Sequence, residues 1–175
     1  MKAVGISAAK QKEAIDSLRN FVMVKYFPRM LEYCKRNFKR PFPMYDISLV
    51  MHTLKIFDAI FVLGKDEERL NFIEQWFGLS AIWGFGGSVS LFEGEDYKRA
   101  FSKFFLTEYK GVIKLGKSVF DCFIDSKTNE FVEWGDVLKE TPFDSAKQSI
   151  TAVVIDTTET LAYSYFINKL IDIKY

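Results

Sequence analysis

The stretch "IWGFGG", Ile82 to Gly87, decides how this chain is read. Three glycines follow an apolar run and crowd against a tryptophan. A dinucleotide fingerprint needs G-x-G-x-x-G between a strand and a helix. Gly84 and Gly86 fit its first two positions, but Val89 occupies the third and a helical pattern precedes the loop. A P-loop needs lysine followed by Ser or Thr after its last glycine; here Gly87 is followed by Ser88 and Val89. The spacing therefore reads as packing. Glycine in the left-handed conformation closes a helix and lets Trp83 lie against backbone.

Working back from the glycines, Leu70, Ile73 and Phe77 mark one helical face, and Phe72, Trp76, Leu79 and Trp83 mark another. A helix apolar on two faces is covered by neighbours on both. Gly78, Ser80, Ala81 and Gly84 are small enough for those neighbours to come close. The pattern begins near Lys65, with acidic residues in the first turn as the helix dipole prefers. Ahead of it, Ile47, Val50, Met51, Leu54, Phe57 and Phe61 predict an amphipathic helix ending at Gly64 and capped by Asp46 or Ser48. From Ala8 to Phe38 the stripe is Ile15, Leu18, Val22 and Tyr26, then Leu31, Cys34 and Phe38. Pro28 interrupts it, and since its ring costs about 3 kcal/mol inside a helix, two helices or a sharp kink are predicted. "KRPFPMYD", residues 39–46, is a loop. Beyond the glycines, Tyr97, Phe101, Phe104 and Phe105 form the inward face of another helix.

Past Lys110 the texture changes. "GVIKLGKS" reads as a linker. In "VFDCFID", Phe120, Cys122 and Ile124 point one way and Val119, Asp121, Phe123 and Asp125 the other. "EFVEW" alternates again after the polar "SKTN", which predicts a β-hairpin. "ITAVVID" has the length and β-branched content of a buried strand. From Thr158 the helical period returns through Leu161, Tyr165, Ile167, Leu170 and Ile171. The fold class is mainly α with a small β part. A helical unit spans residues 1–110, and a hairpin, a strand and a helix span 111–175, a portion too short to bury both faces of a sheet alone.

Composition narrows the function. Of 175 residues, 49% are hydrophobic and 17% aromatic, with eighteen phenylalanines, which supplies a core and argues against disorder. The net charge of +1 and the lack of a long basic run argue against nucleic acid or a membrane surface as partner. No apolar run reaches the roughly 18–20 residues of a membrane helix, and the N-terminus is too weakly apolar for a signal peptide. A cytoplasmic chain is expected, with Cys34 and Cys122 as buried thiols and a disulfide as the lesser alternative. His52, the one histidine, falls off the apolar stripe near Lys55 and reads as a surface residue. The cysteines lack zinc spacing. Asp121, Asp125, Glu130 and Glu133 could pair for acid–base work, but charges on the solvent face of a hairpin are the commoner case. No catalytic residue and no metal site emerge from the residues. The structural core is expected at Trp76, Trp83, Gly84, Gly86, Gly87, Phe101, Phe104 and Trp134.

The order of motifs carries more than any one of them. "WFGLSAIWGFGGSV", "YKRAFSKFF", "SVFDCFIDSKTNEFVEW" and "VVIDTTETLAYSYFINKL" together resemble the dynein heavy chain, axonemal members more than cytoplasmic ones, from about Ala14 onward. The segment it resembles joins the second and third AAA+ modules of the motor ring. Trp83, Gly84, Gly86 and Gly87 occupy the place of the family's W-s-x-G-g pattern, which ends an apolar helix of the helical lid. Arg99 and Phe101 fit the short helix that comes after it. Phe120, Asp121, Phe123, Asp125 and Trp134 fit the next element, with Glu130 and Phe131 in the region of the family's first tryptophan. The last motif opens the third module beside its adenine pocket; Ile155, Thr157 and Thr160 fall there, with Asp156 and Ala162 in place of the family's proline and arginine. The resemblance implies nucleotide contact at Ile155, Thr157 and Thr160 in the intact ring alone. It also implies a parent that hydrolyses ATP on microtubules in the cytoskeleton of a cilium or flagellum. Its partners would be neighbouring AAA+ modules, microtubules and other dynein subunits, with ATP or ADP as cofactor. The sequence holds no Walker A or Walker B motif, so the chain itself is expected to take no cofactor and to act as a non-catalytic coupler. The alternatives are a standalone helical adaptor and an enzyme using carboxylates of the hairpin.

Overall fold

The computed structural model describes residues 7–39, 43–61, 67–113, 118–139 and 156–174. The first helical stretch divides into α1 (Ala8–Asn20), a π-helical turn (Phe21–Lys25) and α2 (Phe27–Asn37). Pro28 lies in the first turn of α2, where a missing N–H leaves no intrahelical bond unmade. The helical pattern thus restarts at the proline. The wider π-helical turn carries an extra residue and rotates α2 relative to α1, so Phe21, Tyr26, Phe27, Met30 and Cys34 are buried. Ile15, expected on the inward stripe, is 56% exposed, because α1 buries none of its residues fully.

Helix α3 (Asp46–Ile60) corrects two expectations. Its N-cap is Tyr45, with no side-chain hydrogen bond; Asp46 instead sits in the first turn and pairs with Lys35. Its buried face is Leu49, Thr53, Phe57, Ala59 and Ile60, while Ile47 and Met51 are exposed. The apolar count passed over Thr53, which is fully buried because its Oγ1 donates to the Leu49 carbonyl (3.0 Å) and needs no water. That small residue is where α3 meets the glycine-rich turn.

A 3₁₀ turn (Glu67–Phe72) leads into α4 (Ile73–Ala81) and a second π-helical turn (Ile82–Gly86). Ile73 and every residue from Trp76 to Gly86 are buried, so neighbours cover both faces as the pattern predicts. The two-residue strands β1 (Leu91–Phe92) and β2 (Glu95–Asp96) then pair antiparallel. Their turn places Glu93 at φ 53° and Gly94 at φ 84°, the doubly positive combination of a tight hairpin. This hairpin was not anticipated, since two-residue strands show no alternation.

Asp96 caps α5 (Tyr97–Glu108) by accepting the Arg99 N–H (3.0 Å). Tyr97, Phe101, Phe104 and Phe105 face inward, as their spacing predicts. Strands β3 (Cys122–Ile124) and β4 (Phe131–Glu133) form the anticipated hairpin, with Cys122 opposite Glu133 and Ile124 opposite Phe131. Helices α6 (Trp134–Val137) and α7 (Thr158–Asp172) come last. Among the described residues the fold is mainly helical with two small antiparallel sheets. The strand expected at "ITAVVID" falls, apart from Asp156, outside the described residues.

One continuous apolar core runs through α2 to α5 and on into Val119, Phe120, Cys122, Ile124, Trp134, Ala162 and Phe166. The hairpin is fastened to the helices by polar bonds inside this core. Trp76 Nε1 donates to Asn129 Oδ1 (3.2 Å), and the Val119 N–H donates to Ser102 Oγ (3.0 Å). Cys34 and Cys122 are buried thiols. Burial, with Asp121 and Glu133 nearby, pushes the Cys122 thiol up to about 12.

Candidate functional site

The backbone of the glycine-rich turn fixes the site. A Cβ on Gly84 would sit 2.7 Å from Thr53 Cα and 2.8 Å from Thr53 N, on α3. One on Gly86 would sit 2.6 Å from Phe120 Cζ and 2.7 Å from two Phe101 ring atoms. Glycine is required here for close approach. The left-handed closure expected from the sequence is not found. Gly87 is right-handed (φ −63°), its N–H donates to the Trp83 carbonyl (3.1 Å), and the positive-φ glycines among the described residues are Gly94 and Gly111.

The compact turn thrusts Trp83 between the segment before β3 and α7. Its indole meets Phe120 and Tyr163 edge-to-face, each with centroids 5.6 Å apart, and lies tilted on Phe166 at 4.6 Å. Each such pair contributes about 0.5–1.5 kcal/mol beyond its buried area. The buried Trp83 Nε1 has no hydrogen-bond partner among the described residues, so the side chain acts by packing. From Trp83 the aromatic contacts continue both ways. One arm runs through Phe120, Phe101, Phe105 and Tyr26 to Phe77. The other runs through Phe166, Tyr165 and Trp134 to Phe123. Of the other residues singled out in the sequence, Trp76, Phe101, Phe104 and Trp134 are all buried. Phe104 lies apart from the junction, stacked on Tyr33 at 3.7 Å.

Lys98 fastens the junction at its edge. Its Nζ donates to Glu159 Oε1 (3.0 Å) and to the Tyr163 hydroxyl (3.2 Å). It also lies over the rings of Phe120 (5.6 Å) and Tyr163 (5.4 Å). Desolvation pushes the ammonium's pKa down, but the bonds to Glu159 and Tyr163 outweigh it and leave the pKa raised.

Trp83 walls two clefts. One of about 750 Å³ lies between α5 and α7, and one of about 470 Å³ between α3 and α7. The larger carries Lys98, Arg99, Lys103 and Lys110 against Asp96, Asp121 and Glu159, so its charge is nearly balanced. Its carboxylates are engaged: Asp96 caps α5, Asp121 Oδ2 accepts the Ser118 N–H (3.0 Å), and Glu159 holds Lys98. Asp125 accepts the Lys127 and Thr128 N–H groups, which hold its carboxyl below the ordinary range. Glu130 is exposed and Glu133 half-buried. Among the described residues no group of three or more His, Cys, Asp or Glu is placed to hold a metal ion. His52 is exposed and borders the smaller cleft.

Thr157 and Thr160 form a reciprocal cap on α7. The Thr160 N–H donates to Thr157 Oγ1 (3.1 Å) and the Thr157 N–H to Thr160 Oγ1 (2.8 Å). Ile155 lies outside the described residues. Sequence reasoning missed Thr53, Lys98, Tyr163 and Phe166 as junction residues. Tyr163 and Phe166 stand at the three-residue spacing of one helical face, which was a legible signal; Lys98 reads as one charge in a charged first turn.

The family described as "Dynein heavy chain AAA lid domain" matches residues 18–136. The chain is 28% identical over 175 residues to "Dynein beta chain, flagellar outer arm" of Chlamydomonas reinhardtii, covering 97% of this chain and 4% of that protein. It is 29% identical over 150 residues to "Dynein axonemal heavy chain 9" of Homo sapiens, covering 83% and 3%. It is 26% identical over 156 residues to "Dynein alpha chain, flagellar outer arm" of Chlamydomonas reinhardtii, covering 86% and 3%. The chain thus spans about 3–4% of the length of these relatives.

Proposed function

This chain belongs to the dynein heavy chain AAA lid family, and from that premise we propose that it is a non-catalytic coupler between adjacent AAA+ modules of a dynein motor ring. The residues that match the lid family, 18–136, serve as the lid of one module, and α7 lies in the part that opens the next. The observation that carries this reading is the Trp83 junction. A single aromatic residue from the lid packs at once on the segment leading to the hairpin (Phe120) and on α7 (Tyr163 and Phe166). A densely packed core passes on a displacement because its side chains have few voids in which to absorb it. A rotation of the lid is therefore handed to α7 through contacts rather than through the linker alone.

The parent motor hydrolyses ATP and moves on microtubules, with other dynein subunits as partners. Two relatives named for the flagellar outer arm and one named axonemal favour the cytoskeleton of a cilium or flagellum. Ile155, Thr157 and Thr160 approach nucleotide only in the assembled ring. In this chain both threonine hydroxyls are engaged in capping α7. Titration of MgATP into the chain by calorimetry tests the division of labour. The coupler reading predicts no saturable binding tighter than about 1 mM. A dissociation constant in the low micromolar range assigns the chain a nucleotide site of its own and contradicts the reading.

The adaptor alternative draws on one observation, the exposed apolar stripe of Tyr163, Ile167 and Ile171 along α7. In the ring this stripe faces the remainder of the following module.

A further inference from the structure

Helix α7 is held on the helical body by aromatic packing, Tyr163 and Phe166 on Trp83 and Tyr165 on Phe123 and Trp134. Among its side chains only Ala162 and Phe166 are buried, while Tyr163, Ile167 and Ile171 remain exposed. Apolar packing at Phe166 tethers the middle of the helix to Trp83 but leaves its first turn without a buried anchor. That first turn is where Lys98 acts. Lys98 belongs to α5, and its ammonium reaches Glu159 and Tyr163, four residues apart on one face of α7. The same ammonium lies over the Phe120 ring, on the segment before β3. One side chain thus joins α5 to α7 and to the segment before β3; it is 24% exposed, whereas that of Glu159 is 71% exposed.

We propose that Lys98 is a latch: by holding Glu159 and Tyr163 together over Phe120 it fixes how α7 sits on the helical body, and its release frees α7 to swing away from Trp83. The inference rests on the coupler reading and adds to it the place where the coupling is made or broken. Phe166 gives α7 its grip, and Lys98 sets its angle. A pair with one exposed partner is easily contested. A cationic group of a neighbouring module that captures Glu159, or salt that screens it, opens the latch without disturbing the buried core.

Amide hydrogen exchange on the intact chain tests this with three variants. Lys98→Met keeps the aliphatic stem and removes the charge and the donors. The latch predicts that protection of α7 amides falls about three- to tenfold in Lys98→Met, a loss of the size expected for a partly exposed charged contact. Protection in α4 stays within about twofold of the unmodified chain, because a partly exposed pair contributes little to a core it does not enter. Lys98→Arg retains most of the α7 protection. Raising the salt concentration lowers α7 protection in the unmodified chain and leaves Lys98→Met unaffected. Phe166→Ala separates this proposal from the coupler reading. If Phe166→Ala loosens α7 and Lys98→Met does not, the latch is overturned and the coupler reading stands. If neither loosens α7, both fall. If Lys98→Met loosens α4 as much as α7, Lys98 is a general packing residue and the latch is overturned.

Discussion

Trp83→Ala is expected to lower the stability of the chain by about 3–5 kcal/mol, the range for removing a large buried aromatic side chain from a packed core. The size of this loss comes from its neighbours. Trp83 is 7% exposed and touches three aromatic rings from two other parts of the chain. Phe120, Tyr163 and Phe166 cannot all collapse into the space left, since α3 and α5 are held apart by the backbone of the glycine-rich turn itself. Trp83→Phe is expected to be much milder, because the indole N–H has no partner to lose among the described residues. Urea unfolding followed by circular dichroism reads both variants. A loss below about 1 kcal/mol for the alanine variant removes Trp83 from the centre of the account.

Gly84→Ala carries the second large effect. Helix propensity alone favours alanine over glycine by about 1 kcal/mol. Against that, the added Cβ meets the Thr53 backbone at 2.7–2.8 Å, a contact that no rotamer change relieves. Overpacking costs about 1–3 kcal/mol where neighbours can shift, and here the neighbour is a helix backbone. The clash wins, and a net loss of about 2 kcal/mol is expected. Trimming the neighbour with Thr53→Ala should not restore stability, because the obstructing atoms include Thr53 Cα and N. Gly86→Ala differs: its obstacles are ring atoms of Phe101 and Phe120, so Phe120→Leu should recover part of its loss. Stabilisation by Gly84→Ala in a urea titration contradicts the close approach of α3 to the turn.

These two positions show what was legible in the sequence. The glycines were readable as packing because neither phosphate motif fitted them, and the two-sided apolar pattern of residues 70–83 announced a buried helix. The conformation was not readable. A left-handed close and a close helix approach both favour glycine, and the choice between them is made by α3 and α5, which are distant in sequence. The stripe on α3 went astray for a related reason. Ile47 and Met51 are apolar but exposed, whereas Thr53 is polar but buried, since the small residue with an internally satisfied hydroxyl fits beside Gly84. Counting apolar residues cannot find a face selected by size. The β3–β4 hairpin was legible from alternation around "SKTN", and the β1–β2 hairpin was not, because its signal is the two-residue turn at Glu93 and Gly94 rather than its strands. The hydroxyls of Thr157 and Thr160 were read through the family resemblance as nucleotide neighbours. Their spacing of three residues ahead of an apolar run is also the pattern of a reciprocal helix cap, which is the geometry they adopt.

The central claim is that the lid and α7 are joined energetically through Trp83. A double-mutant cycle on Trp83→Ala and Phe166→Ala, read by urea unfolding, measures that join directly. Residues in contact show interaction energies of about 0.5–3 kcal/mol, whereas independent sites add to within about 0.3–0.5 kcal/mol. With the two rings 4.6 Å apart, the account predicts that the double variant is less damaged than the sum of the singles by about 1–2 kcal/mol. Simple additivity of the two losses contradicts it.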